Sequence, residues 1–117
     1  MVFVDAGANE IRDWLAGTAG VLAPSKIHIG TGTTTPLKTD TALATQIDTK
    51  AFSQTRTANK TVIYEVIYLT TEDNSNTITE AGVFNATPDM FNRFTHASIA
   101  KTSQIEIQYE ITMRVKN

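Results

Sequence analysis

The sequence predicts a mainly β protein, either an antiparallel β-sandwich or a jelly-roll-like barrel, with one short N-terminal helix. The clearest observation is the strict alternation of the last segment, 105–115. Its apolar face is made of Ile105, Ile107, Tyr109, Ile111, Met113 and Val115, and its other face is polar or charged. Further strand-like segments precede it, separated by short polar turns and not by helices. Because short turns join antiparallel strands, a sandwich or barrel is favoured over a parallel sheet.

The one helical pattern lies near the N-terminus and predicts a helix over about residues 9–16. Asn9 is a suitable N-cap and Gly17 a suitable end. Apolar residues recur at helical spacing: Ala8, Ile11, Trp14 and Leu15. We expect the stripe led by Trp14 to cover one end or face of a sheet, although an exposed helix that docks a neighbouring protein has the same pattern.

The β region is predicted over about residues 26–116. Its expected strands are 26–29, 49–58, 61–71, 77–85, 90–98 and 105–115. The strand 61–71 is apolar on both faces, which predicts a central position in its sheet. Residues 30–36 form a Gly/Thr/Pro-rich loop, and 39–47 are expected to be irregular or briefly helical.

Composition narrows the functional classes. The chain has 117 residues, a net charge of −2 and no cysteine, which predicts one domain spanning 1–117 without disulfides or thiolate metal sites. No cluster of Lys or Arg is present to neutralise phosphates, so nucleic acid is not an expected partner. No export signal or long apolar stretch is present either, so we expect no membrane association and a cytoplasmic origin.

The sequence contains no recognisable catalytic, cofactor-binding or metal-binding motif, and we predict none of these sites. Gly30-Thr31-Gly32 lacks the third glycine and the lysine of phosphate-binding loops. His28 and His96 have no second ligand at metal spacing. A hydrolase, the weakest alternative, would need one of these histidines beside a Ser or Thr and a carboxylate; Ser98 shares a predicted strand face with His96.

Several short pieces occur in an order that covers most of the chain. They are Ile27-His28-Ile29-Gly30-Thr31-Gly32-Thr33-Thr34, Pro36, Asp40-Thr41-Ala42-Leu43, Thr79-Glu80-Ala81-Gly82-Val83-Phe84, Arg93, Lys101 and the final alternating strand. This order resembles small tail, baseplate and collar-fibre attachment proteins of tailed bacteriophages. The resemblance implies a structural virion protein without a cofactor, assembled in the host cytoplasm. It also implies a homo-oligomeric adaptor that docks other virion proteins.

The residues that carry the resemblance have structural explanations. We expect Glu80 to form an exposed cross-strand ion pair with Arg93 or Lys101, worth about 0–1 kcal/mol. Gly30 and Gly32 are expected to let the chain turn sharply where it leaves the sheet. Gly82 predicts a β-bulge or a close backbone approach, and Phe84 predicts a core position. Lys50 is the nearest match to a basic position that these phage proteins carry after the Asp40 segment. Trp14 completes the set of interface candidates.

Two alternative functions remain open from the sequence. The first is a capsid decoration protein, which is also a structural virion role. The second is a carbohydrate-binding module, for which Trp14, Tyr64, Tyr68 or Tyr109 would have to form an exposed aromatic platform.

Overall fold

A computed structural model describes residues 1–117 and confirms a mainly β chain with one short N-terminal helix. The elements are β1 (Val2–Phe3), α1 (Asp5–Leu15), β2 (Lys26–Gly30), β3 (Gln46–Ala51), β4 (Gln54–Ala58), β5 (Thr61–Tyr68), β6 (Thr77–Phe84), β7 (Met90–Ala100) and β8 (Ile107–Arg114). The strands form a five-stranded sheet in the order β1-β7-β6-β2-β3 and a three-stranded sheet in the order β4-β5-β8. All pairs are antiparallel, and the two sheets pack as a sandwich.

The main core lies between the sheets. It contains twelve buried side chains: Ile27, Ile29, Tyr64, Val66, Tyr68, Ile78, Ala81, Val83, Phe91, Ile107, Tyr109 and Ile111. They come from alternate positions of the strands because successive residues of a strand point to opposite faces. In β6, for example, Ala81 and Val83 face this core, so Glu80, Gly82 and Phe84 face away from it.

The outer face of the five-stranded sheet is also covered. The chain between β2 and β3, which we call the covering loop (residues 31–45), lies across this face. A smaller apolar cluster of Val4, Leu43, Phe84 and Met90 forms beneath it. Phe84 is therefore a core residue, as predicted, but it belongs to the outer cluster. Residues 39–45 are irregular, which is one of the two expected forms, whereas 46 and 47 already belong to β3.

The predicted strand 49–58 is wrong as a single element, because its residues belong to two sheets. Residues up to Ala51 pair with β2 in β3, whereas Gln54 onward pairs with β5 in β4. The change of sheet occurs at Phe52 and Ser53, whose N–H groups donate to Ser25 and Glu65 respectively. A corner of this kind leaves the polar and apolar pattern unbroken, so periodicity could not show it.

The helix begins at Asp5, four residues before the predicted cap at Asn9, and no side chain caps it. Its start is set by tertiary hydrogen bonds, from Val4 N–H to Phe91 C=O at 3.0 Å and from Asp5 N–H to Lys38 C=O at 2.8 Å. Gly7 allows the first turn to lie against β7, since a Cβ there would be 2.7 Å from the Cα of Phe91. The prediction failed because the signal for the start lies outside the helix.

The helix was expected either to cover the sheet or to be exposed for docking, and Trp14 shows part of each arrangement. Its ring stacks on Phe91, with centroids 5.9 Å apart, so the helix does pack against the sheet. The side chain nevertheless remains 39% exposed, and the next residue, Leu15, is exposed as well. The helix therefore covers the end of β7 and leaves an apolar surface beside it.

Candidate functional site

The most elaborate polar arrangement in the molecule surrounds Glu80, in the middle of β6. This carboxylate is fully buried on the outer face of the five-stranded sheet. It accepts three backbone N–H bonds from the covering loop: Gly32 at 2.6 Å, Ala44 at 2.8 Å and Thr45 at 2.9 Å. Because these donors lie at the two ends of the loop, a single carboxylate holds both ends on the sheet.

Arg93 on β7 supplies the opposite charge. Its Nε lies 3.2 Å from Glu80 Oε1 and its Nη1 lies 3.0 Å from Asp40 Oδ2. Its Nη2 donates to both the carbonyl and the hydroxyl of Thr34, at 3.0 and 3.1 Å. The planar fork of a guanidinium suits such a set of divergent acceptors, which a lysine could not bind simultaneously. We call Glu80, Arg93 and Asp40 the loop clamp.

Asp40 is the outer member of the loop clamp. Its carboxylate accepts the Leu37 N–H at 2.8 Å, and this bond together with Arg93 holds the pKa of Asp40 below its usual range. The Leu37–Asp40 turn is further closed by a bond from Asp40 N–H to Leu37 C=O at 3.0 Å. The anionic form therefore orders the middle of the loop as well as its ends.

The expected Glu80 pair forms with Arg93, one of its two expected partners, but the expectation of an exposed pair is wrong. The pair is buried, with the Arg93 side chain 2% and the Glu80 side chain 0% exposed, because the covering loop lies over it. Lys101 does not contact Glu80; its buried ammonium donates to the side chain of Asn74 at 3.0 Å and to Thr102 C=O at 3.2 Å. It orders the β5–β6 turn.

Two glycines, Gly30 and Gly32, make room for the loop clamp. A Cβ at Gly32 would lie 2.5 Å from the Cβ of Ala44 and closer still to Glu80, and one at Gly30 would meet Glu80 Cγ at 2.9 Å. Neither glycine has a positive φ, so the predicted sharp turn is not what requires them. They are required because the loop, strand and carboxylate approach one another closely.

Gly82 has the second of its two predicted roles, the close approach. A Cβ there would be 2.5 Å from the carbonyl oxygen of Asn92 and 3.5 Å from the Leu43 side chain. The irregularities of the β6–β7 register lie elsewhere, at 78/80 and 83/84. Four candidates, Gly30, Glu80, Gly82 and Arg93, therefore lie beneath the covering loop, with Phe84 next to them, and a fifth, Gly32, belongs to the loop itself.

His28 lies under the same loop as an aromatic packing residue. Its ring stacks on Phe84 with centroids 3.6 Å apart, and burial lowers its pKa. Neither ring nitrogen has a hydrogen-bond partner. Stacking in an apolar setting favours the neutral imidazole.

His96 lies in an apolar cleft of about 480 Å³ between β7 and β8. Its Nε2 is 2.8 Å from the hydroxyl of Tyr109, and its Nδ1 is 2.8 Å from Ala97 O. Ser98 lines the same cleft but does not hydrogen bond to the imidazole. No group of three or more His, Asp or Glu side chains is placed to hold a metal ion.

The four aromatic residues considered for carbohydrate binding do not share a surface platform. Tyr64, Tyr68 and Tyr109 are each less than a tenth exposed. Tyr68 and Tyr109 meet edge to face in the core, with centroids 6.3 Å apart. Only Trp14 offers part of its ring to solvent.

The ion pair between Lys50 and Glu72 was not predicted from the sequence. Lys50 Nζ lies 2.6 Å from Glu72 and also donates to Ile67 C=O at 2.6 Å, which lowers the pKa of Glu72. The pair links β3 of one sheet to the end of β5 in the other. Lys50 was singled out only because it matches a basic position of the phage proteins. No sequence pattern near Glu72 indicates that it pairs with Lys50.

Asp73, in the β5–β6 turn, makes stability depend on pH. Its Oδ2 is buried without a hydrogen-bond partner, and burial, followed by the neighbouring Asp48 carboxyl, raises its pKa to about 6 from an ordinary value of 3.8. Protonated Asp73 can donate to Asp48. Because the folded state holds this proton more tightly than the unfolded state, the stabilisation is complete below pH 3.8 and is lost as the pH rises through about 6.

We therefore expect Asp73→Asn to raise the melting temperature by a few degrees at about pH 8 and to give no gain at about pH 3. Asn also tolerates the left-handed backbone at this position, φ 53°. Thermal unfolding followed by circular dichroism at both pH values measures the effect. Glu106→Gln, which removes an exposed carboxylate outside this turn, is the control. Equal gains at both pH values would contradict a role for the Asp73 proton.

The loop clamp orders the covering loop without immobilising its whole surface. Thr33, Thr35 and Leu37 face solvent, Leu37 with 57% of its surface exposed. The arrangement presents an ordered polar and apolar surface. A second accessible surface is an apolar groove of about 780 Å³ between α1 and the three-stranded sheet, where Trp14 faces Val62 and Met113.

Comparisons of the chain with protein-family models, with curated proteins and with solved structures give no match. In the structure, α1 is too short and too polar to cross a membrane, and it is the only helix.

Proposed function

We propose that this chain is a structural protein of a tailed bacteriophage particle, an oligomeric tail, baseplate or collar adaptor that docks other virion proteins. One observation carries the proposal. The sequence pieces that resemble such proteins have one structural role in common. These pieces are the Gly30–Gly32 segment, the Asp40 segment, the Glu80–Phe84 segment and Arg93. They hold the covering loop on the sheet.

An ordered, exposed loop suits a docking role for a physical reason. Binding by a mobile loop loses conformational entropy, whereas a loop already ordered by buried hydrogen bonds loses little on association. The loop clamp provides this order through an ion pair shielded from solvent. The exposed Leu37 next to Asp40 then provides apolar contact area for a neighbouring protein.

Contacts between copies fit the same role. The five- and three-stranded sheets both end in unpaired strands, and a small sandwich with open edges gains by covering them in an assembly. No cofactor enters the proposal. The particle would be assembled in the bacterial cytoplasm, and the mature location is the virion.

The proposal is tested by locating the chain on phage particles and by measuring its molecular mass in solution. An antibody raised against the purified chain should label the tail, baseplate or collar of phage particles whose genome encodes the chain. Multi-angle light scattering should give a mass of more than one chain. Label on the head would instead favour the capsid decoration alternative, and a monomer with no label on any particle would contradict both.

A substitution in the covering loop separates docking from folding. We expect Leu37→Asp to reduce the amount of chain that cosediments with particles, because it places a charge in the proposed contact while keeping the backbone N–H that binds Asp40. Leu15→Asp, at an 86% exposed leucine on α1, is the matched control and should bind normally. Melting temperatures of both variants should equal that of the wild type. Equal cosedimentation of the two variants would argue against docking through this loop.

A further inference from the structure

Strand β8 ends the three-stranded sheet, and its outer edge is unpaired along the whole of Ile107–Arg114. The direction of its backbone groups follows from neighbouring bonds. Glu65 C=O accepts from Ser53, on the β4 side, so its cross-strand neighbour Glu110 turns its own N–H and C=O away from β5. Val115 N–H donates to Lys60 C=O, so the odd-numbered residues face β5. The even-numbered residues therefore offer their backbone groups to the free edge.

This edge lacks the usual devices that prevent strands from pairing. It contains no proline, and the four even-numbered side chains, Gln108, Glu110, Thr112 and Arg114, lie on the solvent face of the sheet and not across the edge. Long unpaired edges of this kind are templates for another strand. The opposite edge strand, β4, is less suited to pairing with itself, since it carries one charge, Arg56, and no acidic residue that could lie opposite it in a second copy.

The charges along β8 select one occupant for this edge. We infer that a second copy of this chain pairs with it, antiparallel, β8 to β8, with Thr112 of one copy opposite Thr112 of the other. The inference rests on the proposed function, which requires contacts between copies, and names the surface that makes one of them. Glu110 of each copy then lies opposite Arg114 of the other, which gives two complementary cross-strand pairs about the twofold axis.

Other registers are less favourable. A twofold axis at Glu110 places like charges opposite each other. An axis at Ile111 leaves Arg114 opposite Gln108 and Glu110 opposite Thr112. Only the register centred on Thr112 gives each in-strand charge an opposite partner while matching outward backbone groups with outward backbone groups.

The inner face of the strand supports the same register. Ile111 of one copy would lie opposite Met113 of the other, and Tyr109 opposite Val115. Val115 is 73% exposed in the single chain and Met113 is partly exposed, and both flank the groove beneath Trp14. Pairing would therefore continue the apolar side of the three-stranded sheet into the second copy and remove apolar surface from water.

Charge reversal tests this inference. Glu110→Arg gives a chain with arginine at both 110 and 114, and Arg114→Glu gives a chain with glutamate at both 110 and 114. Each variant alone should dimerise about 10-fold more weakly or worse, because both cross-strand pairs become like-charged. An equimolar mixture should recover dimerisation, since every arginine then faces a glutamate. Analytical ultracentrifugation over a dilution series measures the singles, and native mass spectrometry identifies the mixed dimer.

Matched controls are available beside each position. Glu106→Arg makes the same charge change on an exposed residue just before the strand, and Lys116→Glu changes a neighbouring cation that lies after the strand and opposite Gln108. Neither should change dimerisation, and mixing them should favour no mixed dimer. Circular dichroism melts of Glu110→Arg report any loss caused by its contact with Arg56 within the chain.

The possible failures are distinguishable. An oligomer whose mass is unchanged by both reversals overturns β8 pairing and leaves the adaptor proposal standing on particle labelling. A wild-type monomer at every concentration also overturns β8 pairing. Equal loss in the Lys116→Glu control overturns the register centred on Thr112. Absence from particles together with charge-dependent dimers would overturn the adaptor proposal alone.

Discussion

Replacing Glu80 by glutamine is expected to lower the free energy of unfolding by about 3–5 kcal/mol, the largest effect of any single isosteric change in this chain. The substitution removes the buried one of the two carboxylates that neutralise Arg93, in a site closed to water. It also weakens the acceptors of three loop N–H groups, and buried donors without a partner are costly. Urea unfolding followed by Trp14 fluorescence measures the loss.

Glu72→Gln is the matched control, since it changes the same functional groups in an ion pair that is about 28% exposed on both sides. It should cost about 1 kcal/mol. The double variant Glu80→Gln with Arg93→Met should be more stable than the sum of the two single losses predicts, because each single change leaves a buried charge or dipole that the second removes. If Glu80→Gln costs no more than Glu72→Gln, the loop clamp does not hold the covering loop.

Gly82→Ala is the second large expected effect, a loss of about 2–3 kcal/mol. The new Cβ would be 2.5 Å from the carbonyl oxygen of Asn92, which belongs to the paired strand β7 and cannot move without breaking the ladder. It would also be 3.2 Å from the Phe84 ring, which packs in one cluster with Leu43 of the covering loop. We therefore expect faster proteolysis within 31–45 than in the wild type, in addition to the lower unfolding free energy.

Gly20→Ala separates packing from backbone strain. Gly20 has φ +81° and open space around it, so an alanine there costs about 1 kcal/mol through its backbone alone. The loop 31–45 should remain as resistant to protease as in the wild type. If the two alanine variants behave alike in both assays, the close approach at Gly82 does not determine how the loop packs.

Periodicity was sufficient for the last strand, β8, because one of its faces packs on the core. The alternation of Ile107, Tyr109 and Ile111 with polar residues survives as a half-buried edge strand, although it begins two residues later than predicted. The expectation that 61–71 is central holds as well: it corresponds to β5, which lies between β4 and β8. The strand ends at Tyr68, where Glu72 accepts the N–H of Leu69.

The candidate residues were recognised, but their surroundings were not. Glu80 reads as a surface residue in a strand because charged residues on the outer face of a sheet are ordinarily solvated. A signal was available in the two glycines near 30, which are needed where backbone approaches closely, but glycine also marks turns. Asp40 was seen only as part of the resemblance, since its partner Arg93 is distant in sequence.

The sequence by itself determined which faces of the strands are apolar, where most turns lie and which residue types mark the covering loop, because these depend on local spacing. The tertiary structure decided where the helix starts, that 49–58 divides between two sheets and that Glu80 and Arg93 are buried. These features arise from contacts between segments far apart in the chain. A carboxylate becomes a buried anchor only when a distant loop folds over it and supplies the hydrogen bonds that water would otherwise provide.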